Sequence, residues 1–498
     1  MPVLIVVEKP EDWPLDVPGV EVVPARRYLT DPEYSGGRGV KVFNLCRRYR
    51  YQSLGYYVSL LAAARGHRPL PSVTTIQDLR HRTRLGLISD DLESEIQRSL
   101  HPIAGEEFTL SVYFGRNLAH RHQRLATKLF NQFPAPLLRA VFGRDGSGPD
   151  GGVWRLESLR PIAAREIPPH HRDFVVEAAR EHFARRRPAG GRAAGGRYDL
   201  AILVDESESE PPSNRKAIRR FVRAAHQVGF DVEVIGPEDY GRLAEFDALF
   251  LRWTTAVDHP TYRFARRAAN EGLVVIDDPA SIVRCSNKVF LAEALTRAKI
   301  PMPATRIVDE ETLEQAAREL PYPCILKRPD SYFSKGVERV DDPAAFIATG
   351  RRFLDDSELL IAQEFLPTEF DWRVGVLGGQ PLYAARYHMA PGHWQIIHRD
   401  DQGEVDDYGR VGAVALGEVP PRVLERAAGA ARLMGDGLYG VDLKQKGDDC
   451  WVIEVNDNPS IDGGYEDKVL GEALYRRVME VFMERVERRK APEPPGAR

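Results

Sequence analysis

Short apolar runs alternate along the chain with amphipathic stretches. "VLIVV" at 3–7 and "KVFNL" at 41–45 read as buried strands, and "YQSLGYYVSLLAAARG" at 51–66 as a helix stopped by Gly66. "EFTLSVYF" at 107–114 has partial strand alternation. "PLLRAVFGRDGSGPDGGVWRLESLRPI" predicts two strands around a Gly-rich turn, and "RDFVVEAAREHFARRR" a helix. Together these elements make one domain over 1–185, within the usual domain size. The stretch "RRRPAGGRAAGGR" offers no apolar face to pack, so 186–197 reads as a linker.

The pattern then restarts as strand 198–205, helix 214–230, strands 232–236 and 247–253, helix 261–272 and strand 273–277. Alternation with short connections predicts a small parallel-sheet domain over 198–284. From 287 to 482 strands come in pairs among helices, an α+β pattern. The fold class expected is therefore α/β and α+β in one multidomain chain. A last helix within 466–487 places Leu470, Leu474, Val478, Val481 and Phe482 on one face, and 488–498 reads as a disordered tail. No internal repeat is visible.

Composition agrees with a globular multidomain protein. The 498 residues suggest about three domains at roughly 150 residues each. Hydrophobic residues make up 43% and charged residues 29%, which argues against a largely disordered or fibrous chain. The net charge of −4 lacks the positive excess of a general nucleic-acid binder. Cysteines at 46, 285, 324 and 450 show no C-x-x-C spacing, which argues against a disulfide framework or structural zinc and for a reducing, cytoplasmic setting. The N-terminal stretch does not resemble a signal peptide, and no run reaches the roughly 18 apolar residues of a membrane span, so no membrane partner is expected.

One strand-like run poses a chemical question. In "WVIEVNDNPSID" at 451–462, alternation puts Glu454 and Asn456 on one side, with Ile453 and Val455 on the other. A carboxylate beside a carboxamide offers hard oxygen ligands of the kind Mg²⁺ takes when phosphates complete its shell. Upstream, "GLYGVDLKQ" presents Asp442, which a hairpin would bring to the other two. The alternative is a solvated sheet face. Cys46 with His67 as base is a second candidate, against which stands the ordinary role of a lone cysteine as a small buried hydrophobe. The histidines of "HRH" at 120–122 and the pair His170-His171 lack metal spacing and read as solvated. "RRYR" at 47–50 reads as a solvated helix start or as a contact for an anionic or peptide partner.

"GVDL" followed by "VIEVNDNP" resembles the metal-binding end of ATP-grasp carboxylate-amine ligases, and the preceding chain supplies similar parts in order. "SNKVFLAEALTRAKIPMPATRIV" resembles the first nucleotide lysine, Lys288. "PCILKRPDSYFSKGVERV" resembles the second-lysine strand and phosphate loop, with Lys327, Ser331, Ser334 and Gly336. "IAQEFLPTEFDWRVGVLGGQPLYAARY" resembles the adenine hinge, Gln363, Glu364, Phe365 and Leu366, followed by a D-x-R strand with Asp371 and Arg373. Within that superfamily the chain is most similar to RimK-like glutamate ligases, and "VFNLCRRYRYQSLGYYVSLLAAARGHRPLPSV" resembles the RimK-like ATP-grasp N-terminal domain that accompanies one branch of them.

The resemblance implies a pre-ATP-grasp domain at 198–284 and two ATP-grasp lobes at 285–366 and 367–487. It implies ATP and Mg²⁺, two ions with Mn²⁺ as a substitute, on Asp442, Glu454 and Asn456. It also implies an amide or peptide bond made through an acyl phosphate, with glutamate or a peptide ending in it as substrate. Arg373 and Arg386 would face the acyl phosphate or substrate carboxylates, and Glu369 would accept from ribose hydroxyls. Asn458 would extend the metal or product site. His398 and Arg399 in "HWQIIHRDD" match a substrate-binding pair, with isoleucine where RimK relatives carry asparagine. A regulatory nucleotide binder without turnover is the competing expectation. The amine acceptor and the presence of a homo-oligomer are left open.

Overall fold

The structure is a computed structural model of the chain. It describes all residues except 1–2, 14, 16, 18–19, 36–39, 81–89, 146–151, 185–195, 331–335, 391–392, 396, 400–404 and 492–498. At 397–399 and 405–408 it describes the backbone alone. The chain forms two compact units, one of Met1–Ala201, Gly229–Asp247 and Lys490–Arg498, the other of Ile202–Val228 and Ala248–Arg489.

In the first unit a parallel sheet runs Glu21–Pro24, Val3–Val7, Lys41–Asn44, Arg68–Leu70. Leu4 to Val7 are all buried, as an unbroken apolar run in a covered parallel sheet must be. Helix Leu54–Ala64 links its last two strands; Ser53 caps it by accepting from the Tyr56 N–H, and Gly66, at φ +70°, lets the chain leave it. The predicted pair around the Gly-rich turn is present: Leu137–Asp145 lies between Glu107–Tyr113 and Val153–Pro161 in an antiparallel sheet. Helices Gln123–Gln132 and Arg172–Ala184 bury Leu125, Leu129, Val175 and Ala179 in the same core.

The reading of the histidines in this region changes, and that of Cys46 as a buried hydrophobe stands. His122 is buried, not solvated, and its Nδ1 lies 2.8 Å from the Ser99 hydroxyl; His171 is half-buried against the Tyr113 hydroxyl at 2.8 Å. Cys46 is a buried hydrophobe whose thiol is pushed up by burial, and His67 is engaged by the Tyr28 hydroxyl at 2.8 Å. Neither arrangement activates a nucleophile. Arg47, in the basic run, pairs with the buried Asp12.

Of the residues in the expected small domain at 198–284, Gly229–Asp247 groups with the first unit. Charge explains its attachment. Asp247 is buried and pairs with Arg68 and Lys490, while Arg68 also binds Asp199 at 2.6 Å.

The second unit contains the parallel pair Ala248–Leu251 and Val274–Ile276 with helices Arg215–Val228 and Pro260–Asn270. A four-stranded antiparallel sheet follows in the order Thr305–Val308, Leu360–Glu364, Cys324–Lys327, Val337–Val340. A five-stranded antiparallel sheet runs Val411–Val414, Gln380–His388, Phe370–Leu377, Leu438–Lys446, Asp449–Asp457. Helix Pro421–Met434 packs its alanine-rich face, Ala427, Ala430 and Ala431, against Val374, Val441 and Val455 of this sheet. The last helix is Glu472–Lys490, later than expected: Leu474, Val478, Val481 and Phe482 are buried on it, Leu470 precedes it, and 488–490 are helical rather than tail. No helix among the described residues is long and apolar enough to cross a membrane.

Candidate functional site

The two antiparallel sheets of the second unit border a cavity of about 820 Å³, into which most of the motif residues project. Its acidic wall is the predicted hairpin. Strands Leu438–Lys446 and Asp449–Asp457 pair so that Asp442 faces Glu454 and Gly440 faces Asn456. A bulge shifts the register here, Leu443 pairing with Val452, so the second strand carries one extra residue. In consequence Ile453 lines the cavity beside Glu454, contrary to simple alternation, while Val452 and Val455 remain in the core.

Each carboxylate has a cation. Arg373 grips Asp442 with both arms, Nε to Oδ1 at 2.5 Å and Nη2 to Oδ2 at 2.7 Å. Lys288, first residue of the helix that Asn287 caps through the Phe290 N–H, places Nζ 3.1 Å from Glu454 Oε1. Burial disfavours the Glu454 charge, but Lys288 and then Lys327 outweigh it and hold the carboxyl below its ordinary value. Asn456 donates to Asp442 Oδ2 at 3.2 Å, leaving its carbonyl oxygen as a ligand. Two carboxylates, each facing a cation, and an amide on adjacent strands are a donor set that fits Mg²⁺. Among the described residues there is no cluster of three or more His, Cys, Asp or Glu suited to a metal.

The opposite wall carries the second lysine. Lys327 ends the buried strand Cys324–Lys327 and donates to Gln363 Oε1 at 2.8 Å; Gln363 in turn donates to Thr305. Burial pulls the Lys327 pKa down to about 8, with the neighbouring Lys288 and Lys444 adding to the effect and Glu454 opposing it. Gln363, Glu364, Phe365 and Leu366 all line the cavity, and Trp394 meets the Phe365 ring edge-on at 5.9 Å. Gly336 sits at φ +72°, where a Cβ would meet Arg328 Cδ at 2.9 Å, so the chain entering strand Val337–Val340 needs glycine there. Ser331 and Ser334 lie outside the described residues, as do the side chains of His398 and Arg399, whose strand Ile397–Arg399 pairs with Val405–Tyr408.

Three expected site residues face elsewhere or serve another purpose. Arg386 is exposed, its guanidinium 4.9 Å from the ring centres of Phe370 and Trp372, because strand alternation turns its neighbour Tyr387 to the cavity instead. Glu369 is exposed and off the cavity wall; the acid lining it is Asp371. Asn458 lines the cavity, but its amide is committed to protein, accepting from Arg252 at 2.8 Å and donating to the Trp253 carbonyl at 2.7 Å.

That commitment exposes a support missed in the sequence. Arg252, 1% exposed, also donates to Ser213 Oγ and to the Pro459 carbonyl, and burial lowers its pKa to about 10. Asn458, at φ +47°, donates its backbone N–H to Asp277, whose carboxyl is pushed up to about 7 by burial against the bonds from Asn458 and Leu438. A charged residue ending the apolar run "FLRW" was the available signal for Arg252. Also missed were Tyr387, which lies 4.8 Å beneath Arg373 and donates to the buried Glu466 at 2.5 Å, and Lys444. The alternation that singled out Glu454 and Asn456 points equally from Asp442 to Lys444.

Comparison with known proteins places two parts of the chain. Residues 25–178 match the family model of the RimK-like ATPgrasp N-terminal domain. A probable alpha-L-glutamate ligase 1 of Shewanella amazonensis is 24% identical over 305 residues, 56% of this chain and 95% of that protein. A probable alpha-L-glutamate ligase of Aliivibrio fischeri is 23% identical, over 49% of this chain and 84% of its own length. Among solved structures, a RimK domain ATP-grasp protein of Sphaerobacter thermophilus shares 19% identity at a TM-score of 0.42, over 57% of this chain and 99% of its own. D-alanine–D-alanine ligase of Bacillus anthracis shares 14% identity at 0.46, over 59% and 99%.

Proposed function

We propose that this chain, with its RimK-like ATPgrasp N-terminal match and its likeness to probable glutamate ligases, is an ATP-dependent carboxylate-amine ligase acting on glutamate or a peptide ending in it. The observation that carries the reading is the single cavity that gathers two lysines, a hinge segment, a buried arginine and the oxygen donors of one hairpin. In this reading the two antiparallel sheets are the nucleotide-holding lobes, 285–366 and 367–487. The four cysteines are free and buried, in keeping with a reducing, cytoplasmic setting.

Lys288 and Lys327 hold the phosphates as point charges, Gln363 to Leu366 border the adenine, and Asp371, rather than Glu369, accepts from the ribose. Asp442, Glu454 and Asn456 would hold Mg²⁺, two ions or Mn²⁺ in their place, which would supply positive charge against the phosphates. A substrate carboxylate oxygen attacks the γ-phosphorus, the bond to the bridging oxygen breaks and ADP leaves. The amine nitrogen then attacks the acyl carbon, loses its proton and expels inorganic phosphate. Arg373, fixed by Asp442 and by the Tyr387 ring, presents its guanidinium to the acyl phosphate. The cavity's size suits such a pair of ligands.

The test is phosphate release by the purified protein with ATP, Mg²⁺ and each amino acid in turn, with products identified by mass. Release dependent on glutamate, with a mass gain of one condensed residue, supports the ligase. Nucleotide binding without turnover under every amino acid and peptide offered supports a regulatory protein instead.

A further inference from the structure

Lys444 lies two positions after Asp442 in strand Leu438–Lys446 and lines the same cavity, yet the chemistry above gives it no task. The extra residue of the bulge belongs to the opposite strand, so alternation here is regular and Asp442 and Lys444 share a face. The Lys444 ammonium donates to Asp371 Oδ1 at 2.6 Å and to Thr368 Oγ1 at 2.8 Å, and Thr368 donates to the same Asp371 oxygen at 3.0 Å. The side chains of Lys444 and Asp371 are 14% and 11% exposed, so solvent screens this pair far less than a surface one.

Thr368 belongs to the segment that crosses from strand Leu360–Glu364 in one sheet to Phe370–Leu377 in the other. Lys444 therefore ties that crossing, and the acid at its end, to the strand that carries Asp442. Both side-chain bonds to the Asp371 carboxylate end on Oδ1. A carboxylate held by one oxygen has a fixed plane, and its second oxygen then has a fixed direction in which to accept.

We propose that Lys444 is the positioning residue for ribose recognition: by fixing Oδ1 of Asp371 it sets the other oxygen to accept from a ribose diol, so that the site selects a ribonucleotide over its 2′-deoxy analogue. This rests on the ATP-binding reading above. A site built to hydrogen-bond a hydroxyl rejects the analogue lacking it, because its own polar group is left unpaired.

The experiment is calorimetric binding of ADP and 2′-deoxy-ADP, with Mg²⁺, to the full-length protein and to Lys444→Met, Lys444→Arg and Thr368→Val. Wild type is expected to favour ADP by about tenfold or more, the discrimination of a satisfied against an unsatisfied hydroxyl site. Lys444→Met should bring that ratio to within about twofold, while Lys444→Arg retains about half of the discrimination on a logarithmic scale. Weakening of both nucleotides by the same factor in Lys444→Met, or an unchanged ratio, overturns the inference and leaves the ligase reading standing. Failure of wild type to bind either nucleotide removes both. Should Lys444→Met not fold, Thr368→Val decides: it removes one of the two bonds to the ammonium, and an unchanged ratio there overturns the proposal.

Discussion

At Lys327, burial and the phosphate binding proposed for it pull in opposite directions. Burial lowers its pKa to about 8 from an ordinary value near 10.5, whereas an ammonium is the form that holds phosphate. Raising the pH from about 7 to about 9 should weaken nucleotide binding by up to about tenfold, as the free protein loses that proton, and Lys327→Arg should flatten the profile. The stability effect has the opposite sign. Between the folded and unfolded pKa values the unfolded chain binds more protons, so this group's contribution to stability rises with pH across that window. Titration calorimetry and denaturant melts at matched pH would measure the two trends separately. Glu454→Gln should keep the fold and cut turnover by about a hundredfold or more, since a neutral amide replaces the carboxylate proposed to hold the metal and paired with Lys288. Single residues were unevenly legible. Asp442, Glu454 and Asn456 could be found because a polar group in an apolar strand run is conspicuous, Lys288 and Lys327 only through the motifs the chain resembles, and all five line one cavity. Arg386 and Glu369 could not be told from Arg373 and Asp371, because motif order does not say which neighbour a strand turns inward.

Periodicity located most elements, from the buried run at 3–7 to the hairpin of Asp442 and Glu454, since an apolar face has to be covered wherever it occurs. It could not locate the bulge, because a period of two presumes an unbroken ladder; the departure shows only in the register between Asp442 and Leu443. Nor could it show why two strand glycines are required. A Cβ on Gly375 would lie 2.0 Å from the Tyr383 ring, so Gly375→Ala should destabilise the unit by about 1–3 kcal/mol, read as a lower denaturant midpoint at unchanged slope. A Cβ on Gly440 would lie 2.8 Å from Pro459 Cβ and 3.2 Å from Arg373 Cδ. Gly440→Ala should therefore displace the arginine from Asp442 and lower kcat by about tenfold, with KM for ATP changed much less.

Over the whole chain, the α/β opening and the antiparallel α+β part were visible from patterning, but the division between units was not. It depends on charges far apart in sequence: Asp247 meets Arg68 and Lys490, and Glu245 lies within salt-bridge distance of Lys41, His182 and Arg242. Arg68→Met should cost the first unit about 3–5 kcal/mol, since Asp199 loses its arginine and Asp247 keeps Lys490 alone, and Asp199→Asn with Asp247→Asn should recover part of it. Function at this scale reduces to one chemical claim, that a carboxylate oxygen attacks the γ-phosphorus of ATP. The direct measurement uses substrate with ¹⁸O in its carboxylate and follows the label by mass spectrometry during turnover. One ¹⁸O per turnover should appear in inorganic phosphate, with ADP as the nucleotide product. Label in AMP would mean activation at the α-phosphorus, and unlabelled phosphate would mean simple hydrolysis; either would contradict the proposed acyl-phosphate ligase.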